Sequence, residues 1–179
     1  PASVQEMADF VGLGFDLAFK YRNPAMILAD GIVGQMMEKV VLPPSRPRRT
    51  QQEIEQQCPW AATGRHGRAH RNVVTSLELD PSRMEINNER FQRTYAEIEA
   101  NEVRFATHYT EDADYLIVAF GSVARICLKA IEEARAQGVK VGLLRPITLW
   151  PFPKAEIARL AGQVKGMLTV ELNAGQMIE

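Results

Sequence analysis

Gly121 and Ser122 stand between an apolar run, YLIVAF at 115–120, and a helix-patterned stretch, VARICLKAIEEARAQG at 123–138. A glycine and a serine at a strand-to-helix turn present backbone amides at a helix N-terminus, where an anion can be held, and Ser122 is the predicted N-cap. The chemistry open to the turn is nucleotide or anion binding by a free-standing α/β module, or plain turn geometry. No GxGxxG follows the strand, no P-loop lysine is present, and no acid stands about twenty residues on. Ser122 is outside any GxSxG elbow, and neither Cys58 nor Cys127 has a neighbouring histidine to activate it. The sequence therefore contains no self-sufficient nucleophile-and-base set, and no catalytic residue is assigned.

His66 and His70 have the spacing of a helical metal pair, but Gly67 lies between them and no acid or cysteine nearby completes a ligand set. No metal site is predicted, and His108, beside Tyr109, reads as structural. Arg46, Arg48, Arg49, Arg65, Arg68 and Arg71 make the stretch 46–71 locally basic. An arm contacting RNA or phosphate would interleave aromatic residues with these arginines, and only Trp60 does so. A solvated linker or a subunit-contact loop is the plainer reading, and no nucleic acid partner is expected. The formal charge of the whole chain, −1, supplies no global attraction to polyanions or anionic membranes.

These residues need elements to position them. SVQE at 3–6 has the capping-box pattern, and Val4, Met7, Ala8, Val11, Phe15, Ala18 and Phe19 recur at helical spacing, so a helix should start there and end at Asn23-Pro24. AMILAD at 25–30 reads as a buried strand leading into the turn Asp30-Gly31. The prolines and arginines after Pro43 disfavour regular structure, with a short helix after Thr50. Residues 82–105 form a long polar helix with a thin apolar stripe of Phe91, Tyr95 and Ile98. Strand 115–120, helix 123–138, strand 139–146, helix 153–162 and strand 166–172 then alternate. That order predicts a largely parallel open sheet with covering helices, its loops at Gly121-Ser122, Arg145 to Phe152, and Asn173 to Met177. Val123, Ile126, Cys127, Ala130, Ile131 and Ala134 are the expected buried face of the first of these helices.

LRPITLWPFP at 144–153 carries three prolines with Trp150 and Phe152. Prolines fix φ, so this connection is stiff, and the two rings gain on the order of 3 to 6 kcal/mol if both are buried. The burying surface is either another subunit or the domain itself. Two distant cysteines form no disulfide framework and fit a reducing, cytoplasmic compartment. No apolar run approaches the roughly 18 residues of a spanning helix, so no membrane association is expected. The first residue, Pro1, and the last stretch, ELNAGQMIE, read as the ends of a fragment.

NPAMILADGIVGQMMEKVVLP, PW with the following TG, DADYLIVAFGSVARICLKAIEEARAQGVKVGLLRPITLWPFP, and ELNAGQM closely resemble the α subunit of 2-oxoacid:ferredoxin oxidoreductases of the 2-ketoisovalerate or 2-oxoglutarate type. The resemblance runs along nearly the whole chain. It implies an α/β fold: a three-layer, open, mostly parallel sheet like the transketolase C-terminal domain, preceded by the tail of a thiamine-diphosphate-binding α/β domain. Residues 1–42 would be that pyrimidine-side tail, 43–110 a linker region with a long surface helix, and 111–179 the transketolase C-terminal-like domain, incomplete at its end.

The implied activity is oxidative decarboxylation of a 2-oxoacid with coenzyme A, giving acyl-CoA and reduced ferredoxin. Thiamine diphosphate with Mg²⁺ and an iron–sulfur cluster would belong to the full complex, with β and γ or δ subunits as partners. None of these cofactors is expected on the fragment alone, which should be inactive and should self-associate through an exposed sheet edge. Asp30, Gly31, Gln35 and Met36 would lie near the cofactor as scaffold. Gly121, Ser122, Arg145, Asn173 and Gln176 would sit on anion or interface loops, and Trp150 and Phe152 would contact a neighbouring subunit.

Overall fold

Ser3 accepts a hydrogen bond from the Glu6 amide, 3.1 Å, and begins helix α1, Val4–Tyr21. In the computed structural model, which describes residues 1–65 and 67–178, only this half of the predicted capping box forms. Glu6 accepts instead from the Ala2 amide and from Arg145. Arg22, at φ 49°, closes the helix in the left-handed conformation just before Asn23-Pro24.

The strand expected at 25–30 is absent. Met26 and Leu28 are exposed, and a β-strand needs a neighbouring edge for its amides and carbonyls, which apolar side chains alone do not supply. Asp30 then caps a single short helix, α2, Gly31–Gln35, accepting from the Val33 amide at 2.9 Å. Thr50 and Glu53 form a complete capping box at the start of α3, Gln51–Gln57, as the sequence predicts. The long polar helix, α4, covers Pro81–Asn101 and ends earlier than expected.

Residues after α4 make a strand that sequence pattern alone does not reveal: β1, Phe105–His108. It is followed by β2, Tyr115–Val118, then α5, Gly121–Ala136, β3, Val141–Pro146, α6, Lys154–Ala161, and β4, Gly166–Thr169. The sheet order is β1-β3-β2-β4, with β2 parallel to both β3 and β4 and β1 antiparallel to β3. Residues in β1 alternate between exposed and half-buried. A strand of only four residues at an edge leaves a weak signal, and pairing with β3 decides its conformation.

Successive side chains of a strand turn to opposite faces, and β3 is buried on both, so helices cover both faces of the sheet. Leu116 and Val118 pack with Leu144 and with Leu160 of α6, while Leu143 packs with Ala124, Cys127 and Ile131 of α5. The result is a three-layer α/β arrangement around a mostly parallel open sheet, as predicted. On α5, Cys127 and Ile131 are buried as expected, but Ile126 is 63% exposed and Ala130 is also exposed. The buried stripe is rotated toward Ala124 and Leu128, which share the core with Cys127, Ile131 and Leu143, and Phe120, not Ser122, occupies the N-cap position.

Contacts divide the chain into two compact units, Pro1–Leu42 with Thr94–Glu179, and Pro43–Arg93. The first holds α1, α2 and the sheet. The second holds α3, an irregular Arg-rich segment, and most of α4. No helix among the described residues is long and apolar enough to cross a membrane.

Candidate functional site

Gly121 adopts φ 59°, a conformation that costs an L side chain about 1–2 kcal/mol, and so lets β2 turn directly into α5. Ser122 follows, 4% exposed, and its hydroxyl donates to Asp30 Oδ2. The other oxygen of the same carboxylate caps α2. Ser122 first, and the Val33 amide second, hold the Asp30 carboxyl below the usual carboxylate range. The anion at this turn is thus a side chain of the protein itself. That arrangement favours a structural joint and lends no support to nucleotide binding at Gly121-Ser122.

Two further carboxylates from the first 38 residues reach the same domain. Glu38 accepts from the Val4 amide at 3.0 Å and from Arg125, on the first turns of α5, at 2.5 Å. These two bonds, in that order, lower its pKa. Glu6 receives both terminal nitrogens of Arg145, at 2.9 and 2.6 Å, in the bidentate geometry natural to a guanidinium and a carboxylate. Arg145 is the main cause of the lowered Glu6 pKa, opposed by burial. The Arg145 side chain is 14% exposed, and its buried Nε has no hydrogen-bond partner.

Apart from Arg145, the expected site residues fall into four groups. Asp30 and Ser122 are in contact, and Gly121 shapes the turn between them. Gly31 and Gln35 are exposed on α2, and the Met36 amide donates to Ile32 at 3.0 Å. Asn173 makes a self-contained turn, accepting from the Gly175 and Gln176 amides at 2.7 and 3.1 Å. Trp150 is 50% exposed and meets Tyr95 edge to face at 5.7 Å, while Phe152 is half-buried between the buried Pro151 and Pro153.

Sequence reasoning missed Glu38 and Arg125, and it missed the role of Glu102. This glutamate is 6% exposed and accepts from Tyr21 at 2.6 Å, Lys20 at 2.8 Å and Arg104 at 2.8 Å. Lys20, then Tyr21, hold its carboxyl down at about 2. A partner more than eighty residues away leaves no local spacing to find, so only the aromatic-flanked Lys20 and the acid at a helix end hinted at it.

As chemistry, the set binds and orients but does not attack. Ser122 is bonded to a carboxylate without an intervening imidazole, and burial pushes the Cys127 thiol up, away from the reactive thiolate. Among the described residues no group of three histidine, cysteine or acidic side chains could hold a metal ion, and His66, of the His66/His70 pair set aside above, lies outside those residues. The carboxylates near α2 are already bonded within the protein, so Asp30, Gly31, Gln35 and Met36 do not by themselves fit a diphosphate and its Mg²⁺.

Residues 1–111 match the model of the pyruvate flavodoxin/ferredoxin oxidoreductase thiamine-diphosphate-binding family, and residues 113–179 match pyruvate:ferredoxin oxidoreductase core domain II. The chain is 43% identical over its whole length to ketoisovalerate oxidoreductase subunit VorB of Methanothermobacter thermautotrophicus, covering 49% of that protein. It is 32% identical, over 99% of its length, to 2-oxoglutarate synthase subunit KorA of Methanothermobacter marburgensis, covering 52% of it. A solved 2-oxoglutarate:ferredoxin oxidoreductase from Magnetococcus marinus is 24% identical over 55% of this chain and 18% of that one, with a TM-score of 0.49. The chain spans about half the length of the curated relatives it matches. With one model covering most of the chain and a second taking up the sheet domain where the first stops, the protein belongs to the pyruvate flavodoxin/ferredoxin oxidoreductase family.

Proposed function

We propose that this chain forms part of the α subunit of a 2-oxoacid:ferredoxin oxidoreductase that acts on 2-ketoisovalerate. The observation that carries the reading is 43% identity along the entire chain to a ketoisovalerate oxidoreductase subunit, against 32% to a 2-oxoglutarate synthase subunit. The reaction would decarboxylate the 2-oxoacid, transfer the acyl group to coenzyme A, and pass the released electrons to ferredoxin. Thiamine diphosphate, when bound in the complete enzyme, supplies the carbanion chemistry that loss of carbon dioxide requires. Its Mg²⁺ and the iron–sulfur cluster would be held by other parts of the enzyme, in keeping with the poor fit of the residues here.

The role of these residues is scaffolding. Glu6, Asp30 and Glu38 tie the segment 1–42 to the sheet domain through Arg145, Ser122 and Arg125, so the segment carrying α2 is fixed in position. Asp30, Gly31, Gln35 and Met36 would thereby border the cofactor, and Trp150 and Phe152 would meet a neighbouring subunit. Two free, buried cysteines suit a cytoplasmic enzyme.

The test is to express the complete reading frame with its neighbouring genes, purify the complex, and follow coenzyme A-dependent ferredoxin reduction. A brown complex that contains thiamine diphosphate and prefers 2-ketoisovalerate to 2-oxoglutarate is expected. A complex that turns over 2-oxoglutarate faster refutes the substrate, and a lone colourless product refutes the enzyme assignment.

A further inference from the structure

Six of the chain's twenty-one basic residues fall within positions 46–71, all of them arginine, with only Glu53 and Glu55 as acids there. Glu53 is held by Thr50 in the capping box and also feels Arg49, and Glu55 accepts from Gln51 at 2.9 Å, so the charges that matter below are those of Arg48, Arg65, Arg68 and Arg71. A stretch of strong positive charge therefore sits in a chain whose formal net charge is −1.

The way the arginines are held matters more than their number. Arg68 donates to the Gly64 carbonyl at 2.6 Å and to Thr63 Oγ1 at 3.1 Å, and Arg65 Nε donates to the Arg68 carbonyl at 3.1 Å. These acceptors are neutral. They orient two guanidinium groups on a closed turn without cancelling their charge, so part of the side-chain entropy of binding a carboxylate is already spent. Arg48 lies on exposed chain without regular secondary structure directly after Pro47, whose ring restricts the backbone, and Arg71 is exposed beyond the turn.

We propose that the segment 46–71 is a docking surface for an acidic polypeptide, a protein partner that presents clustered aspartate or glutamate. The guanidinium fork matches a carboxylate bidentately, and the exclusive use of arginine over lysine fits that recognition. A nucleic acid strand is the less suitable anion, since Trp60 is the sole aromatic of the segment and stacking platforms are needed for single strands. The inference rests on this unit alone and does not depend on the reaction proposed above.

Fluorescence anisotropy of labelled poly-L-glutamate, about 20 residues long, against the full chain tests it at two salt concentrations set on either side of physiological screening. The expected result is saturable binding that weakens at least about tenfold between about 50 and about 200 mM KCl. The triple variant R48Q/R65Q/R71Q should lose about tenfold or more in affinity, and Arg48→Gln alone, in exposed chain where folding is not at stake, should lose about two- to threefold. No binding at the lower salt, or equal binding by wild type and the R48Q variant, overturns the proposal. Tighter binding of a single-stranded RNA of similar length, lost in the same variant, also overturns it and makes the segment a phosphate reader.

Discussion

Arg145 and Glu6 form a two-bonded ion pair in the sheet-containing unit, 2.9 and 2.6 Å, with both side chains largely shielded. Removing one charge strands the other beside an Nε that is already unpartnered. Glu6→Gln is therefore expected to lower unfolding stability by about 2 kcal/mol, read by urea denaturation, while Arg145→Lys should lose a comparable amount because an ammonium cannot reproduce the fork. Wild-type stability in both variants would show that the pair contributes only surface electrostatics. Gly142 offers a steric counterpart. A Cβ at this strand position would lie 2.8 Å from the Tyr109 carbonyl oxygen and 3.1 Å from the Ala113 Cβ. Gly142→Ala should cost about 1–3 kcal/mol, because the obstacle is backbone that cannot rotate away. An unchanged denaturation midpoint would mean that the Tyr109 turn yields easily.

Elements are joined here mainly by acids. The end of α1 is fastened to the end of α4 and the start of β1 through Glu102, which gathers Lys20, Tyr21 and Arg104. Its folded carboxyl titrates at about 2, against 4.5 for the free side chain. An unfolded chain takes up that proton first as pH falls, so the stabilisation is complete above about pH 4.5 and is lost progressively toward about pH 2. Melting temperatures of wild type and Glu102→Gln should therefore differ most at neutral pH and converge in acid. A difference that stays constant from pH 7 to pH 3 would show that the glutamate contributes packing, not charge. The same comparison separates Glu102 from Glu6, Asp30 and Glu38, whose lowered pKa values also weaken the fold in acid.

At the scale of the molecule, one exposed apolar surface is the Leu149-Trp150 corner, half-exposed on a loop braced by buried Pro146, Pro151 and Pro153. Trp150 is pinned on one edge by Tyr95 and open on another. Trp150→Ala is expected to weaken assembly of the complete enzyme, measured by size-exclusion chromatography of co-expressed subunits, by more than it lowers the melting temperature of this chain. A large thermal loss with normal assembly would assign the ring to the domain's own packing.

How much was legible follows from where the information lies. The β2-α5-β3-α6-β4 alternation, α1, α3 and the three-layer arrangement could be read directly, because apolar periodicity and caps are local properties of neighbouring residues. The stretch 25–30 has the composition of a strand and forms none, and β1, four residues too short to stand out, forms one, because strand hydrogen bonds belong to pairs of segments. Asp30 and Ser122 were each identifiable, yet their bond joins positions 92 apart, and the partners of Glu6 and Glu102 are similarly remote. The sequence by itself determined which faces are apolar, where helices begin and to which family the chain has its likeness. Only the tertiary structure decided which carboxylate meets which arginine, since long-range charge pairing depends on a chain path that local patterns do not encode.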